Sequence, residues 1–373
     1  MLIPLLQNLI RIPSENNGVT GYENEVQQFY CRWLKDHGID GHLISPEELS
    51  GFDVHPGRLI EHSIHNRPLV IASVKGNRPG KRRLLLAHAD TVPVGSLSDW
   101  SGSPFSGALE NGLIYGRGAS DDKWGVALMG CAAAELKRSG CDFPGELIIA
   151  SVPDEESGGG NGTIGVFAAG IKADEAIYLD GGSNQTIWNA GLGGGFCHVF
   201  GSDREKIRKT ILSVKDRLKE RLLADPMFGP EFFPLIEKQF FLIGERGNTV
   251  SFFLDTLPGD DESAVKRQFE ALLPDCRFVW MSRFLKPAVV TRDSTLVTSL
   301  QRAFSEVTGR GLPVTGGVQS DQGLVIAYGR IPCILFGCGR RGLPGASHLP
   351  DECVETERLE ETYRTILQWL RKH

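Results

Sequence analysis

"LLLAHADTVPVG", residues 84–95, joins four consecutive apolar residues to a histidine and an aspartate. An unbroken apolar run reads as a strand buried on both faces, the pattern of a parallel sheet covered by helices; a strand with one wet face alternates instead. His88 and Asp90 end the run, and burying either without a partner carries a heavy desolvation cost. Their compensation has to come from elsewhere in the chain.

Outward from this stretch, short apolar runs alternate with helical patterns: "LVIASVKG" (69–76), a helix from about Gly125 to Ser139, "GELIIASVPDEE" (145–156) and "EAIYLDGG" (175–182). Upstream, Leu2, Leu5, Leu6 and Ile10 share one helical face, and Val26, Phe29, Tyr30 and Leu34 mark a second helix from Tyr22 to His37, with Gly38 as its stop. Strands alternating with helices predict an α/β fold: a mainly parallel central sheet flanked by helices. Ligands bind such sheets beyond the carboxyl ends of the strands. His88, Asp90, Glu155, Glu156 and Asp180 all fall at such ends.

Past Gly182 the order changes to strand Gly194–Phe200, helix Asp203–Leu223, strand Gln239–Ile243, strand Asn248–Leu254, helix Asp260–Leu273 and strand Arg277–Ser282. This β-α-β-β-α-β order is ferredoxin-like. The run "DREKIRKTILSVKDRLKER" (203–221) looks basic, but Ile207, Ile211, Val214, Leu218 and Leu222 form an apolar stripe, so it reads as an ordinary helix with a solvated face. Beyond Pro287 the alternating style returns, with a helix over 293–308, a strand in "IPCILFG" (331–337), a loop holding His348 and a last helix over 357–372. The expected organisation is one domain built from 1–183 and 287–373, interrupted by a ferredoxin-like unit at 184–286.

A chain of 373 residues suits two such units, and 41% hydrophobic with 23% charged residues is the balance of a folded globular protein. The net charge of −6 supplies no basic field for nucleic acid. No run is long enough to span a membrane, and Gln7, Asn8 and Arg11 interrupt the apolar opening, which reads as a helix and not a signal peptide. Eight cysteines without a C-x-x-C pair read as buried reduced thiols of a cytoplasmic protein.

The polar residues at strand ends and loops are His88, Asp90, Asp121, Asp154, Glu155, Glu156, Asp180 and His348. Two histidines with several carboxylates match the ligand chemistry of zinc, cobalt or manganese. "GLIYGRGASDDKWG" (112–125) sets Asp121 in a glycine-rich loop entering a helix, and "SVPDEESGGG" (151–160) sets two glutamates between a buried strand and glycines. Adjacent residues at a strand end point different ways, which lets one carboxylate ligate while its neighbour faces a bound water.

In order along the chain, H-A-D (88–90), "GRGASD" (116–121), "DEESGG" (154–159), Asp180 after the next strand and "GASHLPDE" (345–352) resemble the di-zinc exopeptidase and deacylase family. That family includes acetylornithine deacetylase, succinyl-diaminopimelate desuccinylase, aminoacylase and glutamate carboxypeptidase. The resemblance spans nearly the whole chain and implies a zinc-exopeptidase-like fold whose inserted unit serves as lid and homodimer interface. It implies that His88 and Asp180 bind one metal, Glu156 and His348 the other, that Asp121 bridges them, and that Asp90 orients the site. It also implies two divalent ions, zinc with cobalt or manganese as alternatives, and a cis peptide between Asp121 and Asp122. Glu155 is then the general base, taking a proton from a water held between two cations and returning it to the leaving amine. The implied reaction is amide hydrolysis in a small substrate, an N-acyl amino acid or a short peptide. The alternative is a catalytically silent metal or amino-acid binding relative, which would need the ligands but not Glu155.

The inserted unit departs from the family pattern. Ser202 and Asp203 stand where a lid histidine is common, His198 lies inside a strand and reads as structural, and Leu257 replaces an arginine two residues after the lid aspartate. Arg283, Arg340 and Arg341 are the candidates for a substrate carboxylate. "GLGGGF" (191–196) precedes a strand and not a helix, so it is no dinucleotide loop.

Overall fold

The computed structural model describes residues 1–180, 185–228, 242–280, 283–340 and 344–373. Arg341, the start of the strand expected at Gln239–Ile243, and the end of the one expected at Arg277–Ser282 lie outside these residues.

The Leu84–Ala87 run forms the end of the strand Arg78–His88, and its four apolar residues are fully buried. Because side chains alternate across a strand, Leu85 and Ala87 join one core with helices Leu2–Ile10, Asn24–Asp36 and Lys123–Arg138, while Leu84 and Leu86 join a second core with Val166 and Val325. This strand pairs in parallel with Pro144–Val152 on one side and Glu175–Tyr178 on the other, and Cys333–Leu335 extends the parallel set. Helices on both faces bury the sheet, which is why these segments are apolar without alternation.

Among the described residues the sheet has nine strands and is mixed at its margins. Leu69–Lys75 runs antiparallel to Pro144–Val152, and His42–Ile44 adds an antiparallel edge. At the other margin, Ile187–Gly191 pairs with Cys333–Leu335, Val314–Gly317 and Ala288–Val289. This strand lies within the 184–286 segment read from the sequence as part of the insert, yet it is buried along its whole length in the large sheet. The change to the second sheet falls at Leu192–Gly193.

That second sheet is antiparallel, in the order Leu242–Arg246, Thr249–Thr256, Gly193–Phe200, Arg277–Trp280. Numbered along the chain, this is second, third, first, fourth, the ferredoxin-like arrangement. Helices Arg204–Ala224 and Glu262–Leu272 cover one of its faces: Ile207, Ile211, Val214, Val265 and Phe269 meet Cys197, Val199, Phe252 and Phe278. The stripe expected on the basic helix is buried, from Ile207 to Leu222. A third, small sheet of Ala108–Glu110, Leu113–Tyr115 and Cys353–Glu355 ties the loop after His348 to the loop before Asp121. All eight cysteines are unpaired. Among the described residues no helix is long and apolar enough to cross a membrane.

Candidate metal centre

Three strand ends and two loops converge at the carboxyl edge of the parallel strands. His88, the last residue of its strand, places Nδ1 3.0 Å from the carbonyl oxygen of Asp90. That contact suits a proton on Nδ1 and leaves Nε2 free as a lone-pair donor. Nε2 lies 3.0 Å from Asp121 Oδ1, 3.8 Å from Asp180 Oδ1 and 4.0 Å from Glu155 Oε2. The other oxygen of Asp121, Oδ2, lies 3.2 Å from His348 Nε2, which is 3.0 Å from Glu156 Oε2. Among the described residues two groups could hold a metal ion, His88 with Asp121 and Asp180, and Asp121 with Glu156 and His348. They share the one carboxylate. The peptide between Asp121 and Asp122 is cis.

The supports explain how the chain holds so many charges together. Asp90 is fully buried; its Oδ1 accepts the backbone N–H of Glu155 at 3.1 Å, and its Oδ2 accepts that of Glu156 at 3.0 Å and the Asn16 amide at 2.9 Å. Burial opposes that carboxylate, but His88, Arg67 and Asn16 outweigh it and hold its pKa at about 2. On the other side Glu352 accepts the backbone N–H groups of Ser120 and Asp121 at 2.8 and 3.0 Å and pairs with Arg117. Burial pushes its carboxyl up to about 6. Asp122 accepts the His88 N–H at 3.1 Å, and burial moves its pKa well above the usual carboxylate range.

The electrostatics call for positive charge. Burial opposes the imidazolium of His88, yet the carboxylates of Asp121, Asp180 and Asp90 hold its pKa well above the ordinary value. His348 is drawn up to about 11, foremost by the charge of Glu156. Burial raises Glu155 well above its ordinary value, with the negative charge of Asp180 adding to it, and burial likewise raises Glu156. Carboxylates that crowd this closely are relieved by cations, and an imidazole and carboxylate donor set without thiolate fits zinc, cobalt or manganese.

Residues 84–372 match the family described as Peptidase family M20/M25/M40. The chain belongs to that family. It is 37% identical over 357 residues to a succinyl-diaminopimelate desuccinylase of Methylobacterium radiotolerans, covering 85% of this chain and 88% of that protein. A protein of the same description from Methylorubrum extorquens is 45% identical over 318 residues, covering 75% and 80%. Among solved structures, an M20 family metallo-carboxypeptidase from Sulfolobus solfataricus superposes with a TM-score of 0.73 at 18% identity, covering 99% of this chain and 98% of that one. M20 hydrolases are metal-dependent, and the two ligand groups are this member's candidates for holding the ions.

Two of the arginines read as substrate contacts, Arg283 and Arg340, are engaged within this M20 chain. Arg283 donates to the carbonyls of Gly57, Gly158 and Gly159, and Arg340 contacts Cys353 Sγ at 3.3 Å and lies 3.9 Å from Glu355. His198 Nδ1 is 2.7 Å from Ser251 Oγ, and Leu257 is buried against Leu218 and Leu222. The sequence reading missed Asn16, Arg67, Glu352 and Asp321. Asp321 is buried, accepts the Thr163 hydroxyl proton and is pushed by burial up to about 7. Only Glu352 had a visible signal, its place in "GASHLPDE".

Proposed function

We propose that this chain hydrolyses an amide bond in an N-acyl amino acid or a short peptide, using two divalent ions, zinc with cobalt or manganese as alternatives. In this reading His88 and Asp180 would hold one ion, Glu156 and His348 the other, and Asp121 would serve both. The observation that carries it is the Asp121 carboxylate, with one oxygen toward each histidine, beside the carboxylate of Glu155, 4.0 Å from His88 Nε2. When bound, the ions lower the pKa of a water and polarise the scissile carbonyl. Glu155 receives the proton and returns it to the leaving amine. Asp90 orients the pair through their backbone N–H groups and fixes the His88 ring through its own carbonyl.

Relatives described as succinyl-diaminopimelate desuccinylases support N-succinyl amino acids as one substrate arm, and the solved carboxypeptidase fold supports peptides as another. We further read the chain as a cytoplasmic homodimer joined through the four-stranded unit; eight unpaired cysteines support a reducing compartment, and light scattering tests the assembly. The deciding experiment loads the protein with zinc, cobalt or manganese and screens N-acetyl, N-succinyl and N-formyl amino acids beside dipeptides. One preferred class is expected. Two bound equivalents of metal with no hydrolysis of any class would instead favour a silent binding relative.

A further inference from the structure

The turn that carries Glu155 and Glu156 is held at each end by an arginine to which the reaction assigns no step. Before the pair stands Asp154, whose φ of 65° is uncommon for a residue with a side chain. Its buried carboxylate accepts from Arg67 Nη1 and lies against His62 Nδ1, both at 2.9 Å. Arg67 is 1% exposed and is itself fixed by Glu23, with Nε 3.0 and 2.9 Å from the two carboxylate oxygens. After the pair, Arg283 Nη2 donates to Gly158 O at 3.0 Å and Gly159 O at 2.6 Å, while Nη1 donates to Gly57 O at 2.8 Å.

These contacts meet a need written into the sequence. Three consecutive glycines, 158–160, follow the glutamates, and glycine leaves the backbone less restrained than any other residue. A general base works only within hydrogen-bond reach of its proton, and a shift of about 1 Å costs on the order of 100-fold. Asp90 fixes the N–H groups of the two glutamates, and Gly159 and Gly160 donate their N–H groups to the carbonyls of Glu155 and Asp154, but the carbonyls of Gly158 and Gly159 take their donor from outside the turn. Arg67 comes from the loop before strand Leu69–Lys75, and Arg283 from the segment that returns from the four-stranded sheet to the central one. Two distant segments therefore close on one short turn.

We propose that Arg67 and Arg283 are positioning residues for the general base, gripping the 154–159 turn from its two ends so that the Glu155 carboxylate stays over the ligand cluster. This rests on the reading of Glu155 as the base. The test compares kcat, KM and bound metal for R67K, R283M, R283K, E155Q and the doubles R67K/E155Q and R283M/E155Q, each saturated with metal. R67K keeps a charge between Glu23 and Asp154 and loses the planar fork; R283M carries the test alone if R67K does not accumulate.

R67K and R283M should each lower kcat about 10–100-fold with little change in KM or metal content, and R283K should recover part of the loss. In the E155Q background neither should lower kcat further, because misplacing a glutamine that accepts no proton loses nothing. Equal losses in both backgrounds would overturn the inference while leaving Glu155 as the base. So would a raised KM at unchanged kcat in R283M, which would assign Arg283 to the substrate's carboxylate. E155Q as active as the parent would overturn the base assignment and this inference with it.

Discussion

Replacing each of the two adjacent glutamates by glutamine should separate catalysis from metal binding. Glu155 has His88 Nε2 as its near ionic neighbour, at 4.0 Å, and burial already disfavours its charge. Glutamine keeps the volume, so Glu155→Gln should leave the fold and the metal content intact. It cannot take the water's proton at neutral pH, and losing general-base catalysis should lower kcat about 10²–10⁴-fold, or roughly 3–5 kcal/mol of barrier. Glu156 is in closer contact: its Oε2 lies 3.0 Å from His348 Nε2 and its Oε1 accepts the Val92 N–H at 3.3 Å. Glu156→Gln removes one anionic donor from a three-residue ligand group. Metal affinity should fall by more than the roughly 10–100-fold typical of losing an outer hydrogen-bond partner, and activity should fall with it. The assay is turnover and elemental analysis on both variants after one reconstitution protocol. If Glu155→Gln loses metal while Glu156→Gln keeps it, the roles are exchanged; a fully active Glu155→Gln refutes the mechanism.

Chelation should lower the melting temperature and returning the ion should restore it, since a ligand at 100 times its Kd stabilises by about 2.7 kcal/mol; equal melting with and without ions would show that the cluster holds none. In the metal-free protein Asp90 has a pKa of about 2 against the ordinary 3.8, so it contributes about 2 kcal/mol of stability above pH 3.8 that is lost as pH falls toward 2. Denaturant unfolding of the parent and Asp90→Asn should therefore converge over that window, and a constant difference would contradict the assignment. Gly125→Ala would bring a Cβ within 2.4 Å of Leu179 O and 2.7 Å of Asp122 Oδ1. This overpacking beneath the centre should cost about 1–3 kcal/mol, read as a lower urea midpoint.

What the sequence determined by itself was local or periodic. Leu84–Ala87 and Leu147–Ala150 announce buried strands because every residue is apolar, and the stripe Ile207 to Leu222 announces a covered helix because its spacing is helical. Of the candidate ligands, His88, Glu156 and Asp180 were legible because they break such patterns at strand ends, where a buried charge demands an explanation, whereas Asp121 and His348 lie in loops and were legible through the family resemblance. Tertiary structure alone decided the sheet order, which sets Pro144–Val152 between Leu69–Lys75 and Arg78–His88, two strands consecutive in the chain. It also decided that Ile187–Gly191 belongs to the central sheet, since an apolar strand carries no mark of its partner. The groups that hold the site were hidden for the same reason: Arg67 meets Asp154 across 87 residues, Glu352 meets Asp121 across 231, and Arg283 meets Gly158 across 125. A hydrogen bond between distant segments depends on direction and distance in the folded chain, and neither leaves a periodicity in the sequence.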